Sequence, residues 1–488
     1  YHLGEIFSGA GQTAEARKSH EASLSLLRGI LEENPSDGQA ARSYGLVLGY
    51  LAAIDEVEGR PTDARRRYET SLDILTHLEA QNPDNAYLLA LIALAQGPLA
   101  RLDLAAGRKP EAIGRIETTL ESMDGLDSEN EFFVGQREML RAMLAQVRAF
   151  DRDVQGAKGM LEQAILALER VNESGATTRR FKQSLHEAYS ALATLEYPYD
   201  LDAADRAREL AAELHAADPK ALGWLQRLAM AESTTAAARI HRVEPDKALP
   251  HQQRAVELAR QVVEHLGGPG DWYRLASQER LLATNLRILR RNDEAWKHTE
   301  AAVEAFDRSG MENTRSAASH FALAQLRLER CELLRDLGRS DQVGDEAASV
   351  FRALDTAENT GAVPEATRPI RARTDLVSAL AAFDGKNWTA AADFARRALS
   401  RVPDQPDSRL LVVADMCHGL LADVALARGE YALALHHVQE QLAISLRRPD
   451  IQDERRADFD APIHRRIFEL EALTGDRKPA SAVEHFRV

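Results

Sequence analysis

Gly59-Arg60-Pro61-Thr62-Asp63-Ala64 is the stretch on which the reading of this chain turns. Gly supplies a helix C-cap, Pro cannot continue the preceding helix, and Thr62 is placed to cap a following one, so the stretch spells a tight turn between two helices. The phrase recurs as Gly11-Gln12-Thr13-Ala14-Glu15-Ala16 and as Gly107-Arg108-Lys109-Pro110-Glu111-Ala112, with successive alanines 48 residues apart both times. Aligned on the flanking apolar pattern, weaker copies continue at Ala157, Ala204, Ala248, Ala295, Val343, Ala391 and Ala434, the faintest being those at Ala204 and Val343. The mean period is about 46 residues. A supersecondary unit copied ten times buries its apolar face on the next copy, so the chain is a stack.

The second copy shows the logic. Asn34-Pro35-Ser36-Asp37 ends one helix, because the residue before Pro disfavours helix, and offers Ser36 or Asp37 as the next cap. Helix A then runs to about Glu58, with Tyr44, Leu48, Leu51, Ala52 and Asp55 recurring at three- and four-residue steps. Helix B starts at Thr62, carries Ala64, Tyr68, Ser71, Leu72, Leu75 and Leu78, and ends at Asn82-Pro83-Asp84. Two helices of about 20 residues, each about 30 Å long, make an antiparallel hairpin.

The expected architecture is all-α: a right-handed α-solenoid of about ten antiparallel hairpins with a C-terminal capping helix. Its units span 1–35, 36–83, 84–128, 129–175, 176–219, 220–268, 269–312, 313–362, 363–405 and 406–449. A cap at 450–475 completes a single solenoid of 1–475, and 476–488 is a tail. Within the cap, Asp450 to Asp460 reads as a polar link and Pro462 to Leu473 as the helix, with Leu470 and Leu473 covering the last hairpin. A low aromatic content of 6% and abundant Ala, Leu, Arg and Glu agree with helix.

Sixty-one basic against 76 acidic residues give a net charge of −15, which repels nucleic acid and anionic membrane. The doublets Arg65-Arg66, Arg179-Arg180, Arg290-Arg291, Arg447-Arg448 and Arg465-Arg466 are scattered beside acidic residues and read as solvated helix faces. The longest apolar run, Ala86 to Ala95, stops at Gln96, short of a membrane span. Cys331 and Cys417 are too few and too far apart for a disulfide framework or a metal site, and a reducing compartment is expected. The opening residues look like the second half of a first helix, so the polypeptide is expected to continue upstream.

Leu3-Gly4-x-x-Phe7 with Gly11 and Glu15-Ala16, and Gly429-Glu430-Tyr431-Ala432-Leu433-Ala434-Leu435, resemble the core of the tetratricopeptide repeat. The ordinary repeat has about 34 residues, so these helices are longer by a turn or more. Long repeats with Asn-Pro or Asp-Pro punctuation are similar to the regulatory regions carried behind kinase domains in bacterial serine/threonine protein kinases. That resemblance implies a part of a larger signalling protein.

Catalytic signatures are missing: there is no phosphate-binding loop, nucleophile elbow or His-Glu-x-x-His, and His241-Arg242 is followed by Val243 where a kinase catalytic loop needs Asp. The chain therefore reads as non-enzymatic, with no cofactor and no metal. His418 and His436 or His437 can approach one another across a hairpin, but no spacing completes a metal site. Cys331 aligns with the small-residue position of Gly4 and Ala52, which implies close packing. Trp388 takes the place of Tyr431 in packing, and Trp272, after Gly267-Gly268-Pro269-Gly270, reads as the tryptophan exposed in a loop.

In a tetratricopeptide-like stack the A helices line the concave side. That places Arg280, Thr284 and Arg287 of the seventh unit there, followed by Glu332 and Arg335, Arg373 and Asp423. The arginines suit an acidic or carboxylate-bearing protein segment through bidentate pairing, while i to i+4 pairing along the helix with neighbouring Glu, for example Glu279 or Glu332, is the competing reading. The function expected is an interaction scaffold, the docking or sensor region of a larger protein. The alternative is a regulatory domain binding a small molecule or peptide in the groove. The expected location is cytoplasmic, or the extracytoplasmic side of a membrane-anchored protein.

Overall fold

The computed structural model describes residues 2–9, 13–57, 60–128, 130–150, 153–173, 179–196, 199–219, 221–313, 316–448 and 453–474. Among them every regular element is helical. The chain forms two compact units, Tyr1–His265 and Leu266–Val488.

The first unit holds six antiparallel hairpins, each an A helix followed by a B helix. They are α1 (His2–Gly9) with α2 (Thr13–Glu33), α3 (Gly38–Val57) with α4 (Pro61–Gln81), and α5 (Ala86–Ala105) with α6 (Lys109–Asp124). Then come α7 (Glu131–Phe150) with α8 (Val154–Glu173), α9 (Arg179–Leu195) with α10 (Leu201–Ala217), and α11 (Leu222–His241) with α12 (Pro245–His265). The second unit holds four: α13 (Pro269–Ile288) with α14 (Asn292–Ser309), α15 (Ala317–Asp336) with α16 (Val343–Asn359), α17 (Pro364–Asp384) with α18 (Trp388–Ser400), and α19 (Ser408–Ala427) with α20 (Tyr431–Ser445). A last helix, α21 (Asp453–Thr474), follows.

All ten anchor residues read from the sequence, the faint ones included, are 0 or 1% exposed. Twelve residues before most anchors the A helix presents another small buried residue: Ala52, Ala100, Ala145, Ala236, Ala283, Ala379 and Ala422; the fifth hairpin has half-buried Leu192 there instead. Cys331 occupies the same place, fully buried, and burial pushes its thiol well above the usual range. At Gly4 an added Cβ would lie 2.4 Å from the His20 ring, so only Gly fits. Ala52 and Ala64 share one cluster with Leu99 of the next A helix, so an anchor marks a junction of three helices. Within each unit successive A helices adjoin, α5 on α7 on α9 and α15 on α17 on α19. Among the described residues successive B helices make no comparable contact, which puts the A helices on the tight side of each unit.

The turn inside six of the hairpins has a fixed form, while in the fifth Asp200 N closes a longer loop to Ala193 O at 3.1 Å. The residue five before the anchor is left-handed at Gly107, Val243, Arg290, Gly338, Lys386 and Gly429, with φ between 57 and 75°. The next residue closes a six-residue loop back to the A helix, as Arg108 N does to Asp103 O at 2.8 Å and Glu244 N to Arg239 O at 3.0 Å. One reading of these turns changes. Arg60 is the N-cap of α4 and Pro61 its first residue, so Thr62 lies inside the helix; Gly59 lies outside the described residues. In the ninth hairpin Lys386 takes the left-handed conformation.

Other expectations are corrected by packing. Trp272 lies within α13, where Arg308 stacks on it at 4.8 Å, because Gly268 and Pro269 start that helix instead of forming a longer loop. Trp388 does pack, edge-on to Phe383. The final helix begins at Asp453 and contains Pro462 internally; Arg456 ties its first turns to the carbonyls of Ser445 and Arg448. Ile463, Ile467 and Leu470, one stripe of that helix, cover Ala425, Leu435 and Val438, while Leu473 remains exposed. Helices α5 and α19 are long and apolar enough to cross a membrane by length and composition, against the reading that no stretch approaches that length, and 61% of each such stretch is buried in the fold.

Val243 is β-branched and exposed, and holds φ +60° without packing in return. Val243→Gly should therefore stabilise the protein by about 1 kcal/mol, after the entropy of the added glycine is deducted. Gly429→Val should cost a similar amount, and thermal unfolding of both variants checks the pair of signs.

Candidate partner-binding face

The residues singled out on the A helices do share a face. Counted back from each anchor they occupy positions 18, 15, 11 and 8, one side of an A helix turned away from its own B helix. Their charges, however, face one another. Arg280 of α13 pairs with Glu329 of α15 at 2.5 Å, and Thr284 Oγ1 donates to the same carboxylate at 3.0 Å. Arg287 reaches Glu332 at 2.7 Å, and Arg373 of α17 reaches it from the other side at 2.5 Å. Arg335 pairs with Asp384 at 2.9 Å, and Asp423 of α19 is held by Arg466 of α21.

The arginines are therefore struts between consecutive A helices. Neither reading of them from sequence had this geometry: their carboxylates are on the neighbouring hairpin, not an i+4 neighbour, and the charge offered to an acidic partner is already neutralised. Half-exposed Arg373 is the least enclosed of them.

The first unit builds its struts deeper. Asp55, inside the apolar stripe of α3 and 1% exposed, receives Arg17 from the preceding B helix at 2.8 Å, Arg60 from its own turn at 2.7 Å and Arg67 from α4 at 2.7 Å. One period later Asp103 receives Arg65, Arg108 and Arg115 at 2.7, 2.9 and 2.8 Å. Burial alone would raise the Asp103 carboxyl, but hydrogen bonds from Arg115, Arg65 and Arg108 outweigh it and hold it at about 2. In the sixth hairpin the signs are exchanged: Arg239 stands where Asp103 does, with Asp205 in the place of Arg65 at 3.1 Å and Glu244 in that of Arg108 at 3.6 Å. Geometry is kept while charge is reversed, so the attraction across the joint is what the position requires.

A second polar rung crosses the inside of several hairpins, joining the residue sixteen before an anchor to the one three after it. It is Gln96 with Arg115 at 3.0 Å, Glu232 with His251 and Glu279 with His298 at 2.7 Å each, and Arg327 with Glu346 at 3.3 Å. In the tenth hairpin it is His418 with His437, Nδ1 to Nδ1 at 3.3 Å. Burial lowers the His418 imidazole; burial first, then His418 and His436, bring His437 down to about 4. Among the described residues no group of three His, Cys, Asp or Glu is disposed to hold a metal.

What the sequence reading passed over on this face is apolar. Met230 of α11 and Met416 of α19 are 58 and 44% exposed, and each lies 18 residues before its anchor, the position Arg373 fills in the ninth hairpin. Comparing equivalent positions along the anchor alignment was the signal that would have found them. Reading hairpins one at a time hid it.

No protein-family model matches the chain, and no curated protein sequence does. Among solved structures it is similar to the apo form of RapI, at 13% identity and TM-score 0.49, over 84% of this chain and 99% of that one. It is similar to a signal-transduction ATPase with a tetratricopeptide repeat sensor from Pyrococcus horikoshii, at 13% identity and TM-score 0.47, over 78% of this chain and about half, 52%, of the other. A third likeness is to the S. pombe nuclear import adaptor Nro1, at 13% identity and TM-score 0.41, over 57% and 95%. These are likenesses of fold alone.

Asp103→Ala should cost about 2 kcal/mol, since it removes the buried carboxylate that three partly exposed guanidinium groups share. Asp103→Arg should cost at least as much, and adding Arg65→Asp with Arg108→Glu, the arrangement of the sixth hairpin, should restore a good part of the loss in denaturant unfolding. The two titrating sites act in separate windows. An unfolded His takes its proton near 6.5 and folded His437 only near 4, so stability should fall as pH drops through that interval, less steeply in His437→Phe. Asp103 adds stability above about pH 4 that is lost toward pH 2. Asp103→Asn should lower stability at every pH above about 4 and flatten the loss between about 4 and 2, leaving the His437 window unchanged.

Proposed function

We propose that this chain is a non-catalytic protein-interaction scaffold, the docking or sensor region of a larger signalling protein. The observation that carries this reading is the exposed methionine at one equivalent place on the A-helix face of each unit. Methionine is unbranched and polarizable, and suits surfaces that adapt to apolar side chains of a partner. The surrounding charges are held in struts between hairpins, so the face is pre-organised and little ordering is needed on binding.

The partner this favours is a protein or peptide segment bearing an apolar anchor, with its own charges at the rim. An acidic segment would meet arginines already paired with Glu329, Glu332 and Asp384. A place behind a bacterial serine/threonine kinase domain remains the proposed context, resting on the repeat length and its Asn-Pro punctuation alone. A cytoplasmic location belongs to the same proposal, and cell fractionation checks it.

Photo-crosslinking tests the face. With p-benzoylphenylalanine at position 230 or at position 416, discrete adducts should form in cells, and at position 166, an exposed leucine of B helix α8, they should not. Adducts of equal yield at all three positions, or at 166 alone, would sink the proposal.

A further inference from the structure

The polar rung inside the tenth hairpin breaks the rule that the other rungs follow. Elsewhere it sets unlike groups against each other: Gln96 with Arg115, Glu232 with His251, Glu279 with His298 and Arg327 with Glu346. At the equivalent places α19 and α20 carry His418 and His437, two bases of one kind, Nδ1 to Nδ1 at 3.3 Å. As a hydrogen bond that distance is long, and only one of the two nitrogens can bring the proton.

The same distance is the spacing of a chelate. Two nitrogens on one tetrahedral zinc, each about 2.0 to 2.1 Å from it, lie about 3.3 to 3.4 Å apart. Both rings are half-buried, and His436, whose ring centroid is 5.4 Å from that of His437, is exposed, so an ion can enter from solvent and water can fill its remaining positions. Burial keeps both imidazoles from taking a proton at neutral pH, which leaves their lone pairs to a cation. The surrounding charge is favourable: Glu440 of α20 acts on both rings, while Arg396 of α18, which acts on His437, is paired with Asp393 at 3.3 Å.

We propose that His418 and His437 chelate one zinc ion through their Nδ1 atoms, with water completing the tetrahedral shell and Glu440 as counter-charge. Among the described residues no third His, Cys, Asp or Glu joins them, so the ion is held reversibly and clasps α19 to α20 according to its concentration. The pair is turned toward α20, whereas Met416 on the same helix is turned away from it, and the site is independent of the methionine face.

Calorimetric titration of the metal-free full chain with zinc sulfate at neutral pH tests the site. The expected result is saturable binding in the micromolar range, with one equivalent lost in His418→Gln, the same equivalent lost in His437→Gln, and none lost in His436→Gln. His437→Cys keeps a zinc ligand and should bind within tenfold of the parent chain, a rescue that a merely structural imidazole would not show. Zinc at about twenty times its dissociation constant should raise the melting temperature by about 4 °C. Chelator should reverse that rise, and the two Gln variants should lack it. Loss of the equivalent in only one of His418→Gln and His437→Gln, or in neither, overturns the proposal. So does loss in His436→Gln, because the ion would then sit on the surface of α20.

Discussion

The structure depends on how closely three helix backbones approach at each anchor. A side chain larger than Ala or Val at positions such as 64, 112 or 391 has no space, because the A helix presents a second small residue at the same level. Close approach is what lets long hairpins interlock along their length, and it fixes their register: once an anchor is seated, the turn five residues before it and the small residue twelve before it have no alternative place. The left-handed turn residue follows from the same constraint. Three hairpins accept it without glycine, at Val243, Arg290 and Lys386, which means that packing at the anchor dictates the turn and not the reverse.

Small-residue contacts bring helices together but have little to say about which hairpin meets which. The carboxylate and guanidinium struts add that selectivity. Fifty-two of the 61 basic residues are arginine, and the struts show why lysine would not serve: Asp103 is reached from two helices and the turn between its own, and Arg287 spans two carboxylates, tasks for a planar fork with several donors. Buried pairs of this kind add little net stability over an apolar joint, yet a mismatch leaves a charge stranded, so they penalise wrong neighbours strongly. The exchange of signs between Asp103 and Arg239 is the form such a device takes when joints differ. On the A-helix face of the second unit the same chemistry turns the predicted binding arginines into internal bracing.

The sequence by itself determined the fold class, the ten anchors and the near position of the turns among the described residues. Each is a local matter: Gly and Pro punctuate the backbone, and small residues at a fixed period reveal where helices must touch. Cys331 was legible as a packing residue for that reason. The boundaries shifted where a local rule had two solutions, as with Pro61 at the first helical position in place of Thr62 as cap, or Pro462 inside a helix whose first turns are tied down by Arg456. Only tertiary structure decided the partners of charge. Arg280 and Glu329 lie 49 residues apart, and nothing in the spacing of either helix tells whether a guanidinium points at its own strand of helix, at the next hairpin or at solvent. That choice is made by the angle and offset at which hairpins stack, a property of the assembled joints, and it moved the open chemistry of this protein from arginine to methionine.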